Sequence, residues 1–330
     1  MSRAKDEVAL VADIGGTHAR FGLALSARAG RPQLVAVRRY FAAEFASVTE
    51  AAAHYLQDVG PGREPTRGVF AVASAVTGDV IKITNNPWTF SIRAVGRDLG
   101  LSALRVVNDF SALSRTLPLL DPDELWSIGP GRGRAPSLNG NATYAVLGPG
   151  TGLGVGCLAI RDGHAVTIDS EGGHAGFAPG SAYELKILEI LSGQFGRTSA
   201  ERLISGAGLM NVYKAVCAVE KISPEAGLPE EITEQARTRP GAVAARAVGL
   251  FCEMLGSFAG DAALMFGAWD GVFLAGGVAQ KVLPWLETGG FRQRFEAKGR
   301  HQPLMRSVPT QVVVCPHPEL LGAAYLDACH

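Results

Sequence analysis

Asp109 stands in the stretch LRVVNDFSAL (104–113), after the apolar run Leu104, Val106, Val107 and before an amphipathic segment, Phe110 to Leu117, that reads as a helix. A carboxylate at such a junction has two uses. It can cap the helix by accepting the first free backbone N–H groups. It can also touch a substrate, because ligands of open α/β sheets bind at the carboxyl ends of strands. Asp13, Gly15, Gly16 and Thr17 put a carboxylate, two residues without side chains and a hydroxyl into one bend, and GPGTGLG (148–154) is a second Gly/Thr turn. Backbone N–H groups that converge in such turns bind anions. One glycine bend is usually a plain hairpin; two, each carrying a Thr between apolar strands, are harder to dismiss as anion sites. A strict G-x-x-x-x-G-K-[ST] loop and a strict G-x-G-x-x-G opening a helix are both absent. Glu171-Gly172-Gly173-His174 and Glu201 add two carboxylates and an imidazole. Their plain structural readings are a local hydrogen-bonded pair, Glu171 with His174, and a T-x-x-E capping box of Thr198 with Glu201. A metal reading is poor, since no third ligand lies near Glu171 and His174 in sequence.

The elements that must hold these groups alternate strand and helix. VALVAD turns at IGGT and returns through ARFGLAL, which reads as a hairpin; ATYAVLGPGTGLGVGCLAI (142–160) repeats the pattern, as an internal duplication would. RGVFAVAS and VIKIT read as strands, and GPGRGRAPSLNGN (129–141) as a surface loop. The second half is more helical. SAYELKILEIL opens on a capping box of Ser181 and Glu184, and the long apolar segment after Pro240 has that proline in its first turn and Gly267 as its stop. Gly256, Ala259, Gly260 and Ala263 leave room on that helix for a close neighbour, and GVFLAGGV (271–278) reads as the last buried strand, ending in a glycine pair. Trp88, after Asn85 and Asn86, is expected either in a loop at the mouth of a cleft or in the core.

At 330 residues the chain is long enough for two domains. Apolar residues make up 47% and charged residues 19%, with 41 glycines, which suits an α/β enzyme rich in tight turns and excludes a mostly disordered chain. The 31 basic residues balance 31 acidic ones, leaving no electrostatic footprint for nucleic acid or an anionic membrane. Cys157, Cys217, Cys252, Cys315 and Cys329 include no C-x-x-C pair, arguing against a disulfide framework and a zinc site and for a reducing cytoplasm. The charged start MSRAKDE and the short run Val8 to Ala12 do not form a signal peptide, and Glu253, Asp261 and Asp270 interrupt the richest apolar region. The sequon at Asn141 is read as chance.

As a set, ADIGGTHAR, NDF, GPGTGLGVG, EGGHAGFAP, SAERLISGAGL and LAGGV, in this order and across essentially the whole chain, resemble the bacterial glucokinase family of the hexokinase and actin-like sugar kinase superfamily. The resemblance implies ATP-dependent phosphorylation of glucose at its 6-hydroxyl with Mg²⁺. It implies an α/β, two-domain actin-like ATPase (ribonuclease H-like) fold with a central cleft: residues 1–118 plus about 308–330 form the smaller domain and 119–307 the larger. Asn108 and Asp109 match the pair at the reactive hydroxyl, with Asp109 as base, and Glu171, His174 and Glu201 match ligands of the other hydroxyls. A sugar hydroxyl both donates and accepts, so carboxylates, an amide and an imidazole suit it. Ala12, Asp13, Ile14, Gly15, Gly16 and Thr17, with Gly150, Thr151 and Gly152, match phosphate-holding turns; Gly276 and Gly277 match the approach to adenosine. No metal ligand is assigned directly: Mg²⁺ travels with ATP, and Asp13 can reach it through water. With no cysteine between His174 and Cys217, the zinc-free branch is expected, as are a homodimer and no nucleic-acid or membrane partner. The alternative is a non-catalytic sugar sensor on the same fold, but only seven residues precede the first strand, too few for a DNA-binding helix-turn-helix. An actin- or chaperone-type nucleotide machine would leave Glu171, His174 and Glu201 without a purpose.

Overall fold

The computed structural model describes residues 8–25, 30–62, 64–130 and 133–328; the charged N-terminal stretch, Cys329 and positions 131–132 of the surface loop lie outside them. The chain divides into two compact units, Met1–Leu120 with Cys315–His330, and Asp121–Val314. The return to the first unit follows Val314 rather than residue 308, because Thr310–Val313 is a strand paired in parallel with Gly271–Leu274 and belongs to the second unit's sheet.

The first unit is built on β1 (Val8–Ile14), β2 (His18–Leu25), β3 (Gln33–Phe41) and β4 (Arg67–Val72), then the small ribbon β5 (Val80–Lys82) and β6 (Thr89–Ser91), and β7 (Ala103–Asn108). Its main sheet runs β3-β2-β1-β4-β7, an antiparallel meander on one side and strands parallel to β1 on the other. Alternation along β1 divides its side chains between two cores. Leu10, Ala12 and Ile14 pack with Val48, Ala51 and Tyr55 of α1 (Val48–Val59) and Val95 of α2 (Ile92–Asp98). Ala9 and Val11 pack with Ala112 of α3 (Asp109–Thr116) and with Leu320 and Ala323 near the chain's end. By the same alternation Asp13 falls on the second face. Trp88 lies in the connection between β5 and β6 with its ring in the core, 3% exposed, and its indole N–H donates to the Phe45 carbonyl at 3.1 Å, so of the two expectations the core one holds.

The second unit contains β8 (Leu125–Ile128), β9 (Ala142–Pro149), β10 (Leu153–Arg161), β11 (His164–Ser170), β12 (Gly271–Leu274) and β13 (Thr310–Val313), in the order β11-β10-β9-β12-β13-β8. The expected hairpins are both present, β1–β2 and β9–β10. GVFLAGGV is not the last strand: β13 follows it, four buried residues too short to announce themselves. Around this sheet lie α4 (Ala182–Phe195), α5 (Gly206–Glu220), α6 (Pro229–Thr238), α7 (Val243–Phe266), α8 (Gly277–Lys281), α9 (Leu283–Leu286), α10 (Gly290–Glu296) and α11 (Gln302–Ser307). Ser181 caps α4 by accepting from the Glu184 N–H at 3.1 Å; the Glu184 carboxylate accepts from Gly180 N–H and pairs with Arg294. α7 is long and apolar enough to cross a membrane, yet it forms the centre of this unit's core. It begins at Val243, capped by Ala242, so Pro240 precedes the helix instead of sitting in its first turn, while Gly267 ends it in the left-handed region at φ 63°. A Cβ on Gly256 would lie 2.1 Å from the Phe291 carbonyl oxygen, and one on Gly260 would lie 2.6 Å from that of Phe295, so the small-residue stripe seats α10 directly.

Finally α12 (Pro318–Ala328) returns to the first unit. It packs so tightly on α3 that a Cβ on Gly322 would come within 1.8 Å of the Ala112 carbonyl oxygen, and the Thr116 hydroxyl donates to the Pro318 carbonyl at 2.5 Å.

Candidate active site

In the first unit, Ala12, Asp13 and Ile14 end β1, and Gly15, Gly16 and Thr17 form the turn into β2. The Gly15 N–H donates to the His18 carbonyl at 2.9 Å, and Gly16 is held against the chain at 84–85, where a Cβ would stand 3.2 Å from the Thr84 carbonyl oxygen. The hairpin register sets Asp13 opposite Arg20, whose guanidinium donates to the Asp13 carboxylate at 2.5 Å. Asp13 is buried, and burial raises its pKa against the lowering pull of Arg20 and His317.

β7 ends at Asn108, and Asn108, not Asp109, caps α3: its side-chain oxygen accepts from the N–H groups of Phe110 and Ser111 at 2.9 and 3.3 Å. Its amide donates to the Ser74 carbonyl at 3.3 Å. An Asn amide has two N–H donors, so one remains for a ligand. The capping alternative for Asp109 therefore gives way, since the neighbouring residue takes that job. Asp109 is the first helical residue, and its carboxylate accepts from the Phe110 N–H at 2.9 Å. Its pKa is pushed up to about 8, first by burial and then by the negative charges of Asp13 and Glu319. Glu319, in the first turn of α12, is itself raised to about 7 by burial and by Asp13. Three carboxylates thus meet at the ends of β1, α3 and α12, with Arg20 as the counter-charge on Asp13.

In the second unit, Gly150, Thr151 and Gly152 form the turn between β9 and β10, closed by a Gly150 N–H bond to the Gly152 carbonyl at 2.8 Å. The Gly206 N–H, at the start of α5, donates to the Gly150 carbonyl at 2.8 Å. Gly276 lies against the start of the same turn at φ 88°, where a Cβ would be 2.9 Å from the Pro149 carbonyl oxygen; Gly277 begins α8 with open space where its side chain would be. Glu171 and His174 flank the short helical turn Gly172–His174, which lies on β10 so closely that a Cβ on Gly173 would be 2.0 Å from the Leu153 carbonyl oxygen.

The structure brings Glu171, His174 and Glu201 together. His174 Nε2 is 3.9 Å from Glu171 and its Nδ1 is 4.0 Å from Glu201. At 3.9 Å the Glu171 and His174 side chains are not a hydrogen-bonded pair. The Thr198–Glu201 capping box does not form either: the Thr198 hydroxyl pairs with Ser192, Ser199 stands at the cap, and the Glu201 carboxylate accepts from the Leu153 N–H at 3.0 Å. Among the described residues no group of three or more His, Cys, Asp or Glu side chains is arranged to hold a metal ion. Asp13, buried and already bonded to Arg20, suits a contact with a metal-bound water better than direct ligation.

The family model for glucokinase matches residues 10–329. The chain belongs to the glucokinase family. It is 47% identical to a glucokinase of Stenotrophomonas maltophilia over 322 residues, covering 97% of this chain and 95% of that one. Among solved structures, a glucokinase from an Antarctic psychrotroph is similar with a TM-score of 0.83 at 33% identity, covering 98% of each chain. A Balamuthia mandrillaris glucokinase in complex with glucose shares the fold, with a TM-score of 0.81 at 22% identity over 97% of this chain and 93% of that one. In this member of the glucokinase family, sequence reasoning missed Arg20, Glu319 and the Leu153 N–H. Arg20 was within reach, because a hairpin bent at Gly15-Gly16 sets residue 20 opposite residue 13. Glu319 and Leu153 leave no local signal, since their partners lie far away in sequence.

Proposed function

We propose that this chain catalyses the ATP-dependent phosphorylation of D-glucose at its 6-hydroxyl. The observation that carries the reading is the convergence of Glu171, His174 and Glu201 beside the glycine turn 150–152 in a chain of the glucokinase family. Glu171, His174 and Glu201 hold the sugar's hydroxyls, the two carboxylates accepting from them and the imidazole able to accept or donate. Asp109, in its ionised form, takes the proton of the 6-hydroxyl as that oxygen attacks the γ-phosphate, and the remaining Asn108 N–H orients the same oxygen. A base with a pKa of about 8 is well matched to a sugar hydroxyl near neutral pH. The turns 12–17 and 150–152 receive the phosphates through backbone N–H groups, with the Thr17 and Thr151 hydroxyls as further donors. Gly276 and Gly277 leave space for the backbone to approach adenosine. Mg²⁺ carried by the triphosphate would neutralise charge that develops during transfer, and Asp13 is the residue that would face it through water.

The finer fold assignment, an actin-like pair of α/β domains about a central cleft, is part of this proposal. Its support is that each unit's sheet has three antiparallel strands followed by two strands parallel to the first, with β8 added antiparallel at the edge of the second. Glucose is proposed to draw the domains together before transfer, excluding water that would compete for the γ-phosphate. A cytoplasmic location, a homodimer and the absence of nucleic-acid or membrane partners complete the reading. A panel of hexoses and phosphoryl donors, assayed for donor consumption, tests it. The expected result is turnover with glucose and ATP that yields glucose 6-phosphate; no turnover with any hexose overturns it.

A further inference from the structure

Glu201 uses its two oxygens differently. Oε2 accepts the Leu153 N–H at 3.0 Å, while Oε1 faces His174 Nδ1 at 4.0 Å. Leu153 is the first residue of β10, directly after the Gly150–Gly152 turn, and Gly152 is pressed on the same carboxylate so closely that a Cβ would stand 2.5 Å from Oε2. The base from which Glu201 reaches is rigid. Its neighbours Ala200, Leu203 and Ile204 are in the core, and its carbonyl accepts from the Ser205 hydroxyl at 2.8 Å, the same hydroxyl that caps α5 at the Gly208 N–H. Gly206, next in the chain, fastens the other end of the turn through the Gly150 carbonyl. The segment 201–206 therefore grips the turn at both ends, and at one of them the grip is a side chain that also belongs to the sugar group. Glu171 and His174 have no such bond to it.

We propose that Glu201 is the positioning residue of the phosphate turn, so that one carboxylate serves both the sugar and the phosphoryl donor and couples their binding. The inference rests on the glucokinase reading above. Without the carboxylate the Leu153 N–H loses its partner and the turn loses one of its two fastenings, so the donor is held less well even with no sugar present. By reciprocity of binding free energies, whatever sugar gains from a correctly held turn, nucleotide gains from sugar.

The test titrates the full chain, without sugar, with the magnesium complex of a non-hydrolysable ATP analogue, and follows hydrogen exchange at the Leu153 amide. Glu201→Ala should weaken nucleotide binding about tenfold and speed exchange at Leu153, the scale expected for losing a hydrogen bond to a charged acceptor. Glu201→Gln keeps an acceptor oxygen and should restore both to within about twofold. Glu171→Ala and His174→Ala should leave both unchanged while weakening glucose. Gly152→Ala, whose methyl would displace the carboxylate, should reproduce the Glu201→Ala nucleotide defect, and it decides the matter should Glu201→Ala fail to fold. Nucleotide affinity equal to wild type in the folded variant overturns the proposal. Equally fast Leu153 exchange in wild type and variant overturns the brace while leaving the kinase reading standing. A wild-type protein that binds no nucleotide, with Leu153 protected, instead overturns the phosphoryl-donor reading and the coupling with it.

Discussion

The turn between β1 and β2 and the turn between β9 and β10 have the same plan and opposite economies. Each joins an antiparallel hairpin whose first strand also pairs in parallel with a later strand. The first turn carries its own acid, Asp13, and that acid's partner, Arg20, is supplied by the same hairpin seven residues later. The second has no acid of its own and takes one from Glu201, 48 residues along the chain from the Leu153 that it holds. A local pair forms whenever the hairpin forms, whereas a borrowed one forms only after the surrounding unit has folded. The self-contained turn is therefore suited to a fixed task, and the borrowed acid is free to answer to a second ligand.

The comparison is broken most severely at the proposed base, Asp109. Asp109→Ala should lower kcat by about 10²–10⁴-fold with glucose still bound, because a positioned general base is worth that much. Steady-state kinetics together with calorimetry checks it, and a normal kcat in folded protein sinks the assignment. Since Asn108 is the helix cap, the variant should keep its fold.

On the other side, Glu171→Gln and His174→Ala should weaken glucose by about 1–3 kcal/mol each, the cost of an unpaired buried hydroxyl, with kcat affected less. Unchanged glucose affinity in both by calorimetry would return these residues to loop structure.

The pH dependence sharpens the contrast further. As the proposed base, Asp109 must be ionised, so kcat/KM should fall as pH drops through about 8, about tenfold per unit well below it. Glu319→Gln removes a negative charge that raises Asp109 and should move this limb to lower pH, while Glu171→Gln should leave it in place. The stability sign follows from the same shift. Asp109 has its folded pKa raised above the ordinary 3.8, so its contribution is fully present below about 4 and is lost as pH rises through about 8. Asp109→Asn should thus melt progressively higher relative to wild type between about pH 4 and pH 8 in calorimetric scans and keep a constant lead above that; a difference that stays constant across that window refutes the raised pKa.

The smallest effect is expected at the self-contained pair. Arg20→Gln removes the charge that holds the Asp13 pKa down against burial, so Asp13 should take up a proton more readily and the variant should lose about 1–2 kcal/mol near neutral pH, the range for a hydrogen bond to a charged group. Denaturant unfolding of wild type, Arg20→Gln, Asp13→Asn and Asp13→Asn/Arg20→Gln measures it; full additivity of the single changes would mean that the two do not interact.

What was legible in the sequence follows the same division between local and borrowed. Both hairpins, the Ser181 cap, the Gly267 stop and the small-residue stripe of α7 are written in neighbouring residues, and each is found in the structure. Local readings erred where a nearby residue competed. Asn108 outdoes Asp109 as a cap because its oxygen reaches two N–H groups, and Ala242 starts α7 after the turn that Pro240 was expected to share. Trp88 was ambiguous because its destination, the Phe45 carbonyl, lies 43 residues away. Of the candidate site, the grouping of Glu171, His174 and Glu201 came through motif resemblance, whereas the bond from Glu201 to Leu153 depends on a loop approach that no spacing announces.

The crossing of the chain after Leu120 and its return after Val314 also order events during synthesis. The second unit is one uninterrupted stretch and can finish folding as it leaves the ribosome. The first cannot. Its sheet is complete once Asn108 has emerged, yet Ala9, Val11, Val69 and Ala71 wait for Leu320, Ala323 and Ala324 of α12 to cover them. At translation rates of about 5–20 residues per second, residues 121–314 take roughly 10–40 seconds to make, and for that interval one face of the nascent sheet has α3 on it but lacks α12. The N-terminal part of this chain is thus the last to complete its core.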